Sequence, residues 1–218
     1  MRHIAGSIAL VLFISAFTPP AHSATPVMVA DINTTPGASS WPYHMTVFND
    51  KLYFRANGDE KGTELWVYDG TNGPSRVSDI NPDGGHSGVF DLVVYNSKLY
   101  FNATDGTNGS ELWVYDGINP PAMVADVVTT GSGEFNPRYM TVYKNALYFS
   151  GSDGSPTGNN ELYSYTGSGV PTMVHDINPG SGGAVPTYLT LFEDKLYFSA
   201  GDGTNGKELW VYDGSNTP

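Results

Sequence analysis

The residues of this chain that could do chemistry are acids, aromatics and a few bases, and most of the acids recur on a fixed period. Glu64, Glu111, Glu161 and Glu208 each follow a Gly-rich turn, and Asp69, Asp116 and Asp213 close the phrase that three of them open. Oxygen-rich turns with spaced acids can hold calcium. The spacing departs from the EF-hand loop, however, and Asp-Gly and Asn-Gly are also the ordinary chemistry of tight turns. We read these acids first as turn residues. Calcium is the one cofactor they leave open, and no other is implied.

The unrepeated residues offer little catalytic apparatus. A glycosidase needs two inward carboxylates, for which Asp91 and Glu134 are the best candidates. An arginine cluster of the sialidase kind is poorly served, because Arg55, Arg76 and Arg138 stand at unequal positions in their units. The chain has no cysteine and no Gly-x-Ser-x-Gly elbow. His44, His86 and His175 lack zinc-ligand spacing. The expectation from these residues is a chain that is not an enzyme.

The elements that must position these groups are repeated too. Trp66, Trp113, Tyr163 and Trp210 recur about every 47 to 50 residues, the length of a propeller blade. Each unit holds a Leu-Tyr-Phe triplet at Leu52, Leu99, Leu147 or Leu196, and an extended piece with an aspartate at Asp31, Asp79, Asp126 or Asp176. In the first unit, the segment 45–48, the turn Asn49-Asp50 and the segment 51–54 form a tight hairpin signal. The strands are apolar or aromatic on both faces, so both faces must be covered. Stacked blades do that and leave only short edges. The pattern therefore predicts an all-β fold, a four-bladed β-propeller of four-stranded antiparallel blades, with units at about 27–80, 81–127, 128–177 and 178–218. Residues 27–32 read as a fourth strand, and we expect them to join the last blade beside 208–214 and close the ring.

The repeated Glu-Leu-Trp-x-x-Asp-Gly phrase, with the Leu-Tyr-Phe triplet and the Asp-Gly-Thr-Asn-Gly turns at Asp105 and Asp202, resembles the ELWxxDGT repeat family of secreted bacterial proteins. The resemblance covers nearly the whole chain beyond residue 23 and implies an exported, propeller-like array. It implies no reaction. The third unit departs from the motif, with Tyr163 for Trp, Ser164 for Val and Thr166 for the aspartate.

In a four-stranded blade the long connections and the turns between second and third strands share one face. The starts of the four inner strands lie there, and His44, Asp91, Tyr139 and Tyr188 align with one another, beside the neighbouring set Tyr43, Phe90, Arg138 and Thr187. Trp41, His86, Glu134 and Phe135 precede them on the loops. An exposed aromatic among polar groups suits a sugar ring. The candidate ligand-binding residues are Trp41, His44, His86, Asp91, Phe135, Arg138, Tyr139 and Tyr188, unless these side chains only plug the channel.

Composition bounds the partners. Residues 1–23, with Arg2, the apolar run 8–17 and the site Ala21-His22-Ser23, read as a cleavable secretory signal, too short in its apolar part for a membrane span. The single domain is then 24–218. Removing Arg2 leaves nine of ten basic residues against 22 acidic ones. Such a surface repels nucleic acid and anionic lipid, and a high net charge also keeps an exported protein soluble. The expectation is a monomeric binding module, secreted, at the cell surface or in the periplasm. It would present its loop face to a glycan or a protein, without nucleic acid or membrane insertion. The alternatives are a glycan-active hydrolase on the same scaffold and a purely structural surface repeat protein.

Overall fold

The computed structural model describes residues 25–58, 61–82, 84–129, 133–155, 158–180 and 182–215. The expected leader at 1–23 lies outside them. Each unit begins with a hairpin whose two central residues both have positive φ: Asn49 and Asp50, Asn96 and Ser97, Lys144 and Asn145, Glu193 and Asp194. That is the geometry in which a two-residue turn follows the twist of its strands. The hairpins join β1 (Tyr43–Phe48) to β2 (Lys51–Asn57), β5 (Phe90–Tyr95) to β6 (Lys98–Thr104), β9 (Arg138–Tyr143) to β10 (Ala146–Ser152), and β13 (Thr187–Phe192) to β14 (Lys195–Gly201).

A third strand follows in each unit: β3 (Thr63–Tyr68), β7 (Ser110–Tyr115), β11 (Asn160–Tyr165) and β15 (Lys207–Tyr212). Three units add an outer strand, β4 (Ser75–Arg76), β8 (Ala122–Ala125) and β12 (Thr172–His175). The result is three four-stranded antiparallel sheets and one of three strands. No α-helix occurs among the described residues. The fold is a β-propeller array.

Successive sheets pack face to face through the same positions of the repeat. One cluster gathers Phe48, Tyr53, Leu65 and Ile80 of the first sheet with Leu99, Phe101 and Trp113 of the second. The next joins Tyr100 and Leu112 to Leu147, Phe149 and Tyr163. The third joins Tyr148, Leu162 and Ile177 to Leu196 and Phe198. Each fully buried leucine contributes about 1.5–3 kcal/mol. The inner strands are also tied directly, Thr46 Oγ1 donating to Leu92 O at 3.0 Å and Thr141 Oγ1 to Leu189 O at 3.4 Å.

The repeated glutamates stitch these sheets together. Glu64 accepts the Ile80 N–H at 3.0 Å and the Ser87 N–H at 3.2 Å, and Glu161 accepts those of Ile177 and Ala184, both at 2.9 Å. Glu111 accepts the Val127 N–H at 3.2 Å, with the Phe135 backbone as its second neighbour. All three carboxylates are fully buried. Each is thus a clamp that fixes the outer strand's exit and the crossing loop to the next blade, so these glutamates do more than punctuate turns. The aspartates do close turns: Asp69 Oδ1 takes the Thr71 and Asn72 N–H groups, and Oδ2 takes the Asn72 amide. Asp105, Asp116 and Asp202 repeat this arrangement.

The expected seam is not made. Residues 27–32 hold no strand and do not pair with β15, and Val27 is 83% exposed. Met28, Val29, Ala30 and Ile32 instead line a cavity of about 330 Å³ with Met45, Leu52, Phe54 and Tyr68 of the first sheet. Val77 and Ile80 pack against the second sheet in the equivalent way. The segment therefore lies on the side of the first blade where a fourth strand would pack, but Met28 and Val29 stay exposed and it pairs with no strand. At the other end Leu209 is 76% exposed, whereas its counterparts Leu65, Leu112 and Leu162 are 0% exposed.

Candidate functional site

The site is set by the backbone at the start of each inner strand. His44, Asp91, Tyr139 and Tyr188 have φ of 54, 53, 58 and 58°, each inside an irregularity where the pairing of the first two strands shifts register. A left-handed residue costs about 1–2 kcal/mol unless it is glycine, and none of the four is glycine. The bulge re-aims these side chains along the line where the four sheets converge.

They form a connected row. His44 Nδ1 lies 3.9 Å from Asp91 Oδ1. Asp91 Oδ2 accepts the Tyr139 N–H at 2.7 Å. The Tyr139 and Tyr188 rings are 5.8 Å apart at 53°. The outer end of the row is open, with Tyr188 75% exposed. Nearby, Trp41 is 62% exposed and stacks on Tyr43 at 6.4 Å and 15°.

Behind the row lies a cationic layer. The Arg55 and Arg138 guanidinium carbons stand 4.5 and 4.1 Å from the centre of the Phe90 ring, and the His44 ring meets that ring edge-on at 4.9 Å. Arg138 Nε donates to Asn136 Oδ1 at 3.0 Å. Burial pushes the His44 pKa down from 6.5, Asp91 opposes that shift, and Arg55 and Arg138 reinforce it. His44 is therefore mostly neutral at neutral pH. Burial, and then the Arg138 charge, also lower the Arg55 pKa.

Of the eight sequence-selected residues, six converge here: Trp41, His44, Asp91, Arg138, Tyr139 and Tyr188. Two do not. Phe135 is fully buried between the second and third sheets, 5.0 Å from Tyr163 and 5.7 Å from Phe149, because its loop inserts a core side chain at that point. His86 binds the Thr63 N–H at 3.0 Å and the Thr63 hydroxyl at 2.9 Å, holding a connecting loop to β3. Glu134 lies against Gly109 and the Glu111 charge, so it does not join Asp91 as a second carboxylate. Sequence reasoning set aside Arg55, which faces Tyr43 across the β1–β2 pair; the hairpin register carried the signal. Among the described residues no group of three or more His, Cys, Asp or Glu is placed to hold a metal.

No protein-family profile matches the chain, and no curated protein matches it. Solved structures do. The chain is similar to the β-propeller domain of the trilobed protease from Pyrococcus furiosus, which has an open velcro topology: 13% identity and a TM-score of 0.50, covering 79% of this chain and 52% of that one. It is also similar to an α-L-arabinofuranosidase from Clostridium thermocellum, with 16% identity, a TM-score of 0.38, and 79% and 68% of the two chains covered. An endo-arabinase from Bacteroides thetaiotaomicron aligns at 13% identity with a TM-score of 0.40, over 79% and 73%.

The chain thus spans about half the length of the Pyrococcus propeller domain. The likeness to the Pyrococcus domain supports the β-propeller fold that the sheets themselves show. The expectation that the chain is not an enzyme is not upheld: the propeller domain it resembles is part of a protease, and the lack of a familiar motif in one sequence is no ground for setting catalysis aside.

Proposed function

We propose that the inner-strand row takes up a carbohydrate. The observation that supports this most is the left-handed backbone at His44, Asp91, Tyr139 and Tyr188. Four costly conformations at one repeat position keep polar and aromatic side chains where glycine would relieve the strain, and such strain points to function. Exposed Tyr188, Tyr139 and Trp41 offer ring faces, while Asp91 and His44 offer hydrogen-bonding groups, the usual complement of a sugar. Exposure of 24–218 to a panel of glycans, with Tyr188→Ala as control, tests this reading. Binding that is lost in the variant supports it, and binding unchanged by the variant contradicts it.

Hydrolysis of the bound sugar is the second reading, favoured by one contact, the Asp91 carboxylate beside a mostly neutral His44. Release of reducing ends, abolished in Asp91→Asn, would support it.

We also infer that the array closes in solution through residues 27–32. The place of Val29 and Ile32 along a cavity beside Leu52 and Phe54 of the first sheet supports this. So does the chemistry of the last clamp: Glu208 has the repeat position of Glu64, and Ile32 and Ser40 have those of Ile80 and Ser87. If the seam forms within a monomer, Glu208→Ala should cost about as much as Glu64→Ala, each about 1–3 kcal/mol for an orphaned buried N–H group. A cost below about 0.5 kcal/mol, the surface value, or a dimer in sedimentation, would contradict it. Export through the leader at 1–23 belongs to the same proposal, and its check is the N-terminal residue of protein recovered outside the cytoplasm.

A further inference from the structure

We infer that the inner-strand site selects an acidic sugar, whose oxyanion is seated by Arg55 and Arg138. This rests on the carbohydrate reading above and names the class of sugar.

The chain is acidic, with ten basic residues against 22 acidic ones. Only three arginines follow the leader, Arg55, Arg76 and Arg138, and two of them converge on one ring, at 4.5 and 4.1 Å from the Phe90 centroid. Both are half-buried. Among the described residues neither guanidinium lies within ion-pair distance of a carboxylate, since the ion pairs are His44 with Asp91, Lys61 with Asp79 and Lys144 with Asp194.

Asp91 is the acid of the row, and it is engaged elsewhere. One oxygen takes the Tyr139 N–H and the other faces His44. The Phe90 face compensates part of the cost of two neighbouring cations, by about 0.5–2 kcal/mol for each. It leaves both without a carboxylate partner, Arg138 Nε donating to the neutral Asn136 Oδ1 at 3.0 Å, and the guanidinium fork is shaped to hold a carboxylate or sulfate in two parallel bonds.

The position is suited to a sugar substituent and not to a free ion. The guanidiniums lie beside the His44 and Asp91 end of the row, while the exposed Tyr188 ring lies at the other. A pyranose stacked along the tyrosines would carry its acidic group towards the arginines. The shared chemistry is an oxyanion on a sugar ring, whether a uronate carboxylate or a sulfate ester, and the test separates the two.

The experiment is calorimetric titration of the full chain after leader removal with a galacturonate oligosaccharide, its methyl ester, a neutral galactose oligosaccharide, a sulfated galactose oligosaccharide, and inorganic sulfate alone. The inference expects the uronate or the sulfated oligosaccharide to bind at least about tenfold more tightly than the ester and the neutral sugar, the worth of one charged hydrogen bond. Which acidic probe wins identifies the oxyanion. Arg138→Gln should remove that preference.

Arg55→Gln, with thermal unfolding to confirm the fold, is the second variant and should act likewise. Equal binding of neutral and acidic oligosaccharides overturns this inference and leaves the carbohydrate reading standing. Inorganic sulfate binding as tightly as the oligosaccharides overturns it too, since the site would then take a free anion. Binding of none of the probes overturns both readings.

Discussion

Glu64 and Ile80, sixteen residues apart, are joined by a buried hydrogen bond of 3.0 Å from the Ile80 N–H to Glu64 Oε2. Its counterparts link Glu111 to Val127 and Glu161 to Ile177 over the same separation. The carboxylate that opens each Glu-Leu-Trp phrase therefore determines where the outer strand leaves its blade. Replacing Glu64 with alanine leaves the buried Ile80 N–H without an acceptor, while the Ser87 N–H keeps only its second acceptor, Thr63 O at 3.0 Å. Glu64→Ala should cost about 1–3 kcal/mol and lower the urea midpoint without altering the far-ultraviolet strand signal of whatever remains folded.

The same bond has a pH signature. Burial is the chief cause that raises the Glu64 and Glu111 pKa values from 4.5 to about 7, against the opposing pull of their N–H donors, and Glu161 shifts in the same direction. A folded-state pKa above the unfolded one means that the protonated fold is favoured. For Glu64 and Glu111 this contribution is complete below about pH 4.5 and disappears as pH rises through about 7, up to about 3 kcal/mol each at 1.36 kcal/mol per unit. His44, lowered from 6.5, acts oppositely, adding stability above that value. The comparison that isolates the clamp is wild type against Glu64→Gln: the fall in unfolding free energy from pH 5 to pH 8 should be smaller in the variant. Parallel pH profiles would contradict the assignment.

Asp91→Asn tests the row without removing the acceptor of the Tyr139 N–H. The fold should persist, and the His44 imidazole should titrate still lower, because Asp91 is the group that raises its pKa. Conversely, Arg138→Gln should move the His44 titration upward. Both are read from histidine ring signals in a nuclear magnetic resonance titration, and an unmoved midpoint in both variants would separate His44 from these charges.

Gly58 is required by packing, since a Cβ there would run into the Trp66 indole, with Cη2 at 2.7 Å. Gly58→Ala should destabilise by about 1–3 kcal/mol, the usual penalty of overpacking, and shift Trp66 fluorescence. At Gly73 a Cβ would meet nothing within 4 Å, and alanine there should cost little.

What the sequence made legible was local or periodic. The hairpins follow from paired turn residues such as Asn49-Asp50, and the inner-strand row follows from aligning His44, Asp91, Tyr139 and Tyr188. The left-handed backbone at those four was not legible, because His44 and Asp91 are of types merely enriched there and the two tyrosines ordinarily avoid it. The glutamate clamps were hidden for another reason. Their partners are backbone N–H groups on a different loop, which have no letter in the sequence. Phe135 and Trp41 are both aromatics on loops before an inner strand, yet one is core and the other exposed, a difference made by how each loop crosses to its blade. Arg55 became visible only once the β1–β2 register put it beside Tyr43.

The central claim is that a sugar lies along the His44 to Tyr188 row, and residue-resolved nuclear magnetic resonance titration of the labelled protein with a glycan that binds tests it most directly. The account predicts shifts concentrated at Trp41, His44, Asp91, Tyr139 and Tyr188, with β8 and β12 unmoved. Shifts concentrated on the outer strands or on the Asp69 and Asp116 turns, with the row silent, would contradict it.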